Sequence, residues 1–176
     1  MAEIMVVIVI IAMVSYSVGI AFEAILPGER LNSSVRSLSG VLQSTRSEAI
    51  ARNAEFWIEY DLEKERYRVH TPYRKGGGRL IATHDEDELD EQFLLPWNTL
   101  EDGIDISSVF IAGELYDDSS VMVRFDPLGS ASGHSVILRQ PMFNNVFTVE
   151  VMALTGSVRL HYEEFFRDVP EDGEFN

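Results

Sequence analysis

The chain has 176 residues, a formal net charge of −15 and no cysteine. The lack of cysteine excludes disulfides, thiolate zinc sites and thiol catalysis. Beyond position 80 the chain carries 20 acidic but only 4 basic residues, so this part repels phosphate backbones and we expect no nucleic-acid partner.

The amino-terminal end is an uncharged apolar run over residues 4–22, with Glu3 at its front edge. As a helix it would be roughly 28 Å long, close to the hydrocarbon thickness of a bilayer. No basic residue precedes the run and no small-residue cleavage motif follows it, which disfavours a signal peptide. A soluble core helix rarely stays apolar on every face for so long. We therefore predict a transmembrane helix over residues 1–26, and its apolar positions include Ile4, Val7, Ile11, Val14, Val18 and Phe22.

A second helix is predicted over residues 31–53, within an amphipathic segment 27–54, because apolar side chains recur there at helical spacing. Pro27-Gly28 should kink or break the rod between the two helices. The pattern places Ser39 and Arg46 largely off the buried stripe. The stripe itself is expected to consist of Leu31, Val35, Leu38, Leu42, Ala49 and Arg52.

From Glu55 onward the pattern changes to short alternating segments separated by turns rich in Gly, Pro and Asp. The predicted strands are residues 56–60, 67–70, 80–82, 104–111, 121–125, 136–138, 147–152 and 158–162. We therefore predict an α+β fold, in which a long amino-terminal helix packs on an antiparallel sheet or sandwich domain over residues 55–167. Residues 168–176 are acidic and are expected to form a disordered tail. The aromatic residues predicted to lie in the core are Phe56, Trp57, Phe93 and Trp97.

Three stretches resemble parts of one family when they are taken together. Residues 2–12 (AEIMVVIVIIA) are similar to the start of type IV pilins and pseudopilins. The other two resemble H-type minor pseudopilins: residues 45–53 (TRSEAIARN) look like the end of the amphipathic helix, and 125–130 (FDPLGS) with 155–158 (TGSV) look like the carboxy-terminal pattern. The chain thus resembles the GspH/FimT family. This resemblance implies a pilin-like fold and a filament subunit, without catalysis or cofactor, that serves type II protein secretion or type IV pilus biogenesis.

The resemblance also implies an assembly role for Glu3. In pilin-like filaments the equivalent glutamate is thought to meet the cationic amino terminus of a neighbouring subunit, which would offset the cost of a carboxylate in hydrocarbon. From the residue alone, Glu3 could instead lie in interfacial water, where the helix dipole favours an acid.

The resemblance further implies where the chain resides and what it contacts. The expected partners are other pilin-like subunits, the assembly platform and inner-membrane lipid. The expected location is the inner membrane, as a single-pass protein with a periplasmic carboxy-terminal domain. Prepilins carry a short basic leader that is removed before the new amino terminus is methylated. Because Met1 falls inside the segment that would be mature, we expect the true start codon to lie upstream.

Residues 84–91 (HDEDELDE) form the densest acidic cluster and support an alternative function. In this alternative the chain is a single-pass membrane-anchored binding module whose acidic loop captures a ligand or calcium. The cluster lacks the alternating spacing and central glycine of a calcium loop, so a solvated loop is the simpler interpretation. No histidine pair has the spacing of a zinc site, and we expect no metal site, cofactor or catalytic residue.

Overall fold

The computed structural model describes residues 2–80 and 91–167, except for the side chains of residues 2 and 16–27. One helix, α1, spans Ala2–Arg52 and is continuous through Pro27 and Gly28, so a break there is wrong, while the alternative of a kink stays a prediction. Proline removes only one backbone donor, and the hydrogen bonds on either side of it can carry a helix onward. Among the described residues, no helical stretch is both long enough and apolar enough to cross a membrane.

The carboxy-terminal half of α1 lies against the β domain, which we define as residues 55–167. The predicted stripe is confirmed at Leu31, Val35, Leu38, Leu42 and Ala49, which are all buried. Arg52 is exposed at the helix end beside Glu48, so its place in the stripe is wrong. Ser39 is buried, contrary to the pattern, because small side chains fit between the larger residues of a close-packed interface.

Strands of the described part of the β domain are β1 Phe56–Asp61, β2 Arg66–Arg74, β3 Gln92–Leu94, β4 Asn98–Thr99, β5 Asp105–Ile111, β6 Glu114–Tyr116, β7 Ser120–Phe125, β8 His134–Gln140, β9 Asn145–Val151 and β10 Val158–His161. They form two antiparallel sheets. The first has the order β3-β2-β1-β7, with β4 also pairing with β2, and the second has the order β10-β9-β8-β5-β6. A helix packed on antiparallel sheets is the predicted α+β class, which is thereby confirmed.

The longer strands appear close to their predicted positions, whereas β3, β4 and β6 were not predicted. These three contain only two or three residues, too few to show an alternating pattern. The strand predicted over residues 80–82 is not observed at Leu80, and the other two residues lie outside the described part.

The two sheets and α1 share one core, in which Tyr60, Tyr67 and Phe125 are fully buried. Of the predicted core aromatics, Phe56 is buried, Trp57 and Trp97 are half-buried, and Phe93 is 46% exposed. Of the four, only Phe56 belongs to the core, so the prediction is wrong for Trp57, Phe93 and Trp97. The guanidinium groups of Arg66 and Arg68 both lie over the Trp97 ring, 4.0 and 4.1 Å from its centroid.

Candidate assembly surface

Glu3 is exposed in the first turn of α1. There the free amides give the helix a partial positive charge that favours a carboxylate. Four of the six predicted apolar positions have described side chains, and they are 54% to 65% exposed: Ile4, Val7, Ile11 and Val14. The side chains of Val18 and Phe22 lie outside the described part of the structure.

The apolar surface covers every face of the first part of α1. Each large apolar residue from Ile4 to Val14 is at least 54% exposed, and consecutive helical residues point in all directions. We call residues 4–14 the apolar sleeve. Among the described side chains of α1, the first one buried is Leu31. Soluble monomers rarely leave so large a continuous apolar surface in water, so the sleeve needs lipid or another protein to cover it.

Polar contacts fix α1 to the β domain where the buried stripe begins. The Arg30 guanidinium donates to the carbonyl oxygen of Asp102 over 3.4 Å, and the Ser33 hydroxyl donates to the Glu101 carboxylate over 3.3 Å. The Glu101 amide in turn donates to Ser34 Oγ at 3.1 Å. These bonds hold the loop before β5 against the helix.

A second junction lies near the end of α1, where the stretches that carried the family resemblance meet. Arg46 Nε donates to the carbonyl oxygen of Gly129 over 3.1 Å. Gly156 lies so close to this pair that an added Cβ would be 2.5 Å from that carbonyl oxygen and 2.8 Å from Arg46 Cδ. Gly129 and Gly156 also have positive φ angles of 89° and 58°, which favour glycine. The conformation of both turns therefore depends on these glycines.

Glu59 is the centre of a polar cluster on the first sheet that sequence reasoning missed. One of its oxygens lies 2.7 Å from His70 Nε2 and 2.7 Å from Arg68 Nη2. The hydrogen bond from His70 lowers the pKa of Glu59 to about 2, against the opposing effect of burial, and Arg68 lowers it further. His70 Nδ1 faces Gln92 Oε1 at 3.3 Å, so β3 closes the cluster.

Glu150, in β9, is 2% exposed and anchors the segment that follows β10. Its carboxylate lies 2.9 Å from His161 Nε2 and accepts from Arg167 Nε over 2.7 Å. Burial raises the pKa of Glu150, but the bonds from His161 and Arg167 outweigh it and leave this pKa below its usual value. The backbone of residues 163–165 bonds to Thr148, so the segment crosses the outer face of the second sheet.

His134 is buried and joins the two sheets. Its Nδ1 donates to the carbonyl oxygen of Ser132 over 2.7 Å, and its Nε2 accepts from the Tyr60 hydroxyl at 3.0 Å. Burial lowers the pKa of His134 to about 4, although the bond to Ser132 opposes this shift. His134 is therefore neutral at physiological pH and serves as a structural hydrogen-bonding group.

The remaining predicted clusters give no site within the described residues. His70, His134 and His161 each bond to a different partner. No group of three or more metal-ligating side chains is found among the residues that the structure describes. The acidic residues 84–90 and the tail 168–176 lie outside that part. The hypothesis of a calcium-binding loop therefore stays a prediction.

Comparisons with known proteins agree with this architecture. The family model described as "Type II transport protein GspH" matches residues 34–156, well over half of the chain. No curated protein sequence matches. Two structures of the minor pseudopilin EpsH from the type 2 secretion system of Vibrio cholerae are each 14% identical to the chain. One has a TM-score of 0.54 and covers 79% of this chain and 98% of its own, and the other has a TM-score of 0.51 and covers 76% and 97%.

A structure of the type IV minor pilin FimU of Pseudomonas aeruginosa is 13% identical, with a TM-score of 0.46, and covers 77% of this chain and 90% of its own. At these identities the two EpsH structures establish the fold, while the family model establishes the family. The chain belongs to the GspH family of type II transport proteins and shares its fold with the minor pseudopilin EpsH.

Proposed function

We propose that the chain is an inner-membrane-anchored minor subunit that enters a short filament for type II protein secretion or type IV pilus biogenesis. The first part of α1 lies in the membrane before assembly and among the helices of other pilin-like subunits afterwards. The assembly platform delivers the subunit from lipid to filament. The β domain lies in the periplasm throughout.

The apolar sleeve is the observation that supports this proposal. Its side chains are exposed on all faces of α1, whereas the described apolar residues of the helix from Leu31 to Ala49 lie mainly against the β domain. Burying an aliphatic side chain contributes about 1.5–3 kcal/mol, so the sleeve provides a strong drive towards lipid or neighbouring helices. A filament core offers the same apolar environment as the bilayer and makes the transfer between them possible.

Glu3 favours the filament over the bilayer as the surroundings of the sleeve. A carboxylate in the hydrocarbon costs about 2.5–3.5 kcal/mol unless it is paired. A neighbouring subunit that brings its cationic amino terminus next to Glu3 removes this cost inside the filament. The role of Glu3 is therefore to select and align a neighbour, and the subunit has a structural role without a catalytic step.

Replacement of Glu3 tests the proposal. Glu3→Ala should reduce the fraction of subunit in sheared filaments by roughly tenfold or more, because the favourable pairing is lost. The circular dichroism and thermal unfolding of the β domain should not change. Glu29→Ala is the matched control, since it removes an exposed acid from the same helix and should leave incorporation intact. Normal incorporation of Glu3→Ala would refute the proposed role.

A further inference from the structure

Contacts with α1 identify which end of the β domain lies nearer to the sleeve. Arg30 and Ser34 meet the loop before β5 at one end of the domain, whereas Arg46 meets Gly129 at the other. Strand β5 therefore begins at the end nearer to the sleeve and runs away from it, and the antiparallel strand β8 runs back. The turn between β8 and β9 accordingly lies at this same end, which we call the near end.

The turn between β8 and β9 exposes two large apolar side chains. It contains the short 3₁₀ helix Pro141–Phe143, in which Met142 is 86% exposed and Phe143 is 48% exposed. The Asn144 amide donates to the carbonyl oxygen of Pro141 over 3.3 Å, and Asn144 has a positive φ of 52°. The backbone of the turn is thus closed on itself, and the apolar side chains have a defined position on it. We call this short helix together with Asn144 the hairpin tip.

An exposed aromatic residue lies beside the hairpin tip. Strand β10 runs in the same direction as β8, since both are antiparallel to β9, and Tyr162 follows it at the near end. Tyr162 is 83% exposed, and its ring contacts that of Phe147, near the start of β9, with the centroids 4.5 Å apart. Tyrosine is enriched where membranes meet water, because its ring is apolar and its hydroxyl is polar. The near end of the second sheet therefore has the composition of an interfacial surface.

The near end lies close to the membrane in which the proposed function places the sleeve. The predicted membrane segment ends at residue 26, four residues before Arg30, which corresponds to about 6 Å of helix. The polar headgroups add about 5–7 Å to each side of the hydrocarbon. Asp105 pairs with Arg139, so Pro141, two residues further along the chain, is level with the loop that contacts Arg30. The side chains of the hairpin tip can therefore reach the headgroup layer.

We propose that the hairpin tip inserts into the headgroup layer of the inner membrane while the subunit is anchored there. This inference rests on the proposed function, because the tip meets lipid only if the sleeve lies in the bilayer. The contact is apolar, since Glu101, Asp102 and Asp105 also lie at the near end and anionic lipids would repel them. Attachment through both α1 and the tip holds the β domain in one orientation on the membrane before assembly.

Fluorescence quenching by lipid tests this contact, and the chain has no native cysteine to interfere with labelling. Asn145→Cys in the full-length protein places an environment-sensitive fluorophore at an exposed residue beside the tip. The protein is reconstituted into vesicles of zwitterionic phospholipid, a fraction of which carries a nitroxide on the headgroup. We expect the fluorescence to fall by roughly half or more, because interfacial segments insert by about 5–10 Å. Leu154→Cys is the matched control, since Leu154 is 91% exposed at the opposite end, and its fluorescence should not change.

Removal of the apolar side chains of the tip shows whether they make the contact. Met142→Ser combined with Phe143→Ser, in the Asn145→Cys protein, should abolish most of the quenching. Both side chains are exposed, so the domain should stay folded, and a thermal melt verifies this. Raised salt should leave the quenching unchanged, because salt screens contacts between charges and not apolar contacts.

Several results of this experiment would overturn the contact. They are quenching that persists in the double variant, quenching that high salt abolishes, and equal fluorescence at positions 145 and 154. Ile8→Cys, in the sleeve, separates these results from a failure of the proposed function, because a nitroxide on the lipid acyl chain should quench a fluorophore there. Quenching at position 8 without quenching at position 145 would refute the tip contact alone. The lack of quenching at position 8 would overturn both proposals.

Discussion

The two halves of α1 show how one helix can be built for two surroundings. From Ile4 to Val14 every large apolar side chain is at least 54% exposed, whereas Leu38, Leu42 and Ala49 are completely buried against the β domain. Backbone geometry is helical in both. The difference lies in the sequence pattern, which is apolar on all faces in the first half and confined to a stripe in the second.

Because of this difference, the second half of α1 contributes to the stability of the monomer and the first half is available for assembly. The stripe stabilises the monomer because its partners are on the same chain. The sleeve finds no such partner in the described part of the chain, and under the proposed function lipid or other subunits cover it. Substitutions in the two halves should therefore affect different measurements.

Leu42→Ala should produce the largest loss of stability. It removes a fully buried side chain from the interface between α1 and the β domain, and we expect a cost of about 2–5 kcal/mol in the free energy of unfolding. The matched change in the sleeve is Ile8→Ala, at a residue that is 60% exposed, with an expected effect on unfolding within about 0.5 kcal/mol. Chemical denaturation monitored by tryptophan fluorescence measures both. Equal losses would mean that the sleeve also packs on the β domain.

Acidification should destabilise the β domain without releasing the sleeve from the membrane. His134 has a pKa of about 4 when folded, below its ordinary value, so the unfolded chain binds the proton more readily. The stabilisation is complete above about pH 6.5 and is lost as the pH falls towards 4, by roughly 3 kcal/mol in total. His134→Gln should flatten the dependence of unfolding on pH in this window. If the free energy of unfolding of the variant still depends on pH in this window, titratable groups other than His134 are responsible.

Gly156→Ala should destabilise the junction at the end of α1 by about 1–3 kcal/mol. The added methyl group would collide with the carbonyl oxygen of Gly129, and the residue would have to keep a positive φ. Gly76→Ala provides the comparison, because no atom lies within 4 Å of the added carbon and the φ angle is not in the positive range. Thermal unfolding of the two variants distinguishes them, and similar melting temperatures would contradict the account of this junction.

Glu48→Gln should have the smallest effect on stability. Its ion pair with Arg52, one helical turn away, is exposed on both sides and screened by solvent, so its loss should leave the midpoint of unfolding almost unchanged. A loss of several kcal/mol in a denaturation curve would show that the end of α1 depends on this pair.

Much of the fold follows from local patterns. Helical spacing predicts the buried stripe from Leu31 to Ala49, and alternation predicts the longer strands, because each pattern reflects one face buried along one element. Strands β3, β4 and β6 are too short to carry such a pattern, and their pairing depends on neighbours distant in sequence. The exposed position of Phe93 has the same origin, since it lies on the short strand β3 at the edge of a sheet.

The candidate surfaces were only partly predictable. The apolar run and Glu3 are visible in the sequence, and the family resemblance identified the stretches around Arg46, Gly129 and Gly156. Their meeting at one junction could not be predicted, because it depends on contacts between residues more than eighty positions apart. The polar clusters around the half-buried Glu59 and the buried Glu150 were missed for the same reason, since their cationic partners are spread over other elements.

Labelling of single cysteines in membranes tests the central claim most directly. Ile8→Cys and Ser47→Cys place one thiol in each half of α1, both at residues exposed in the isolated chain. A membrane-impermeant maleimide is applied from the periplasmic side before and after denaturation in detergent. We predict rapid labelling at position 47 and none at position 8 until the membrane is dissolved. Equal labelling at both positions in intact membranes would contradict the assignment of the sleeve to an apolar, intermolecular environment.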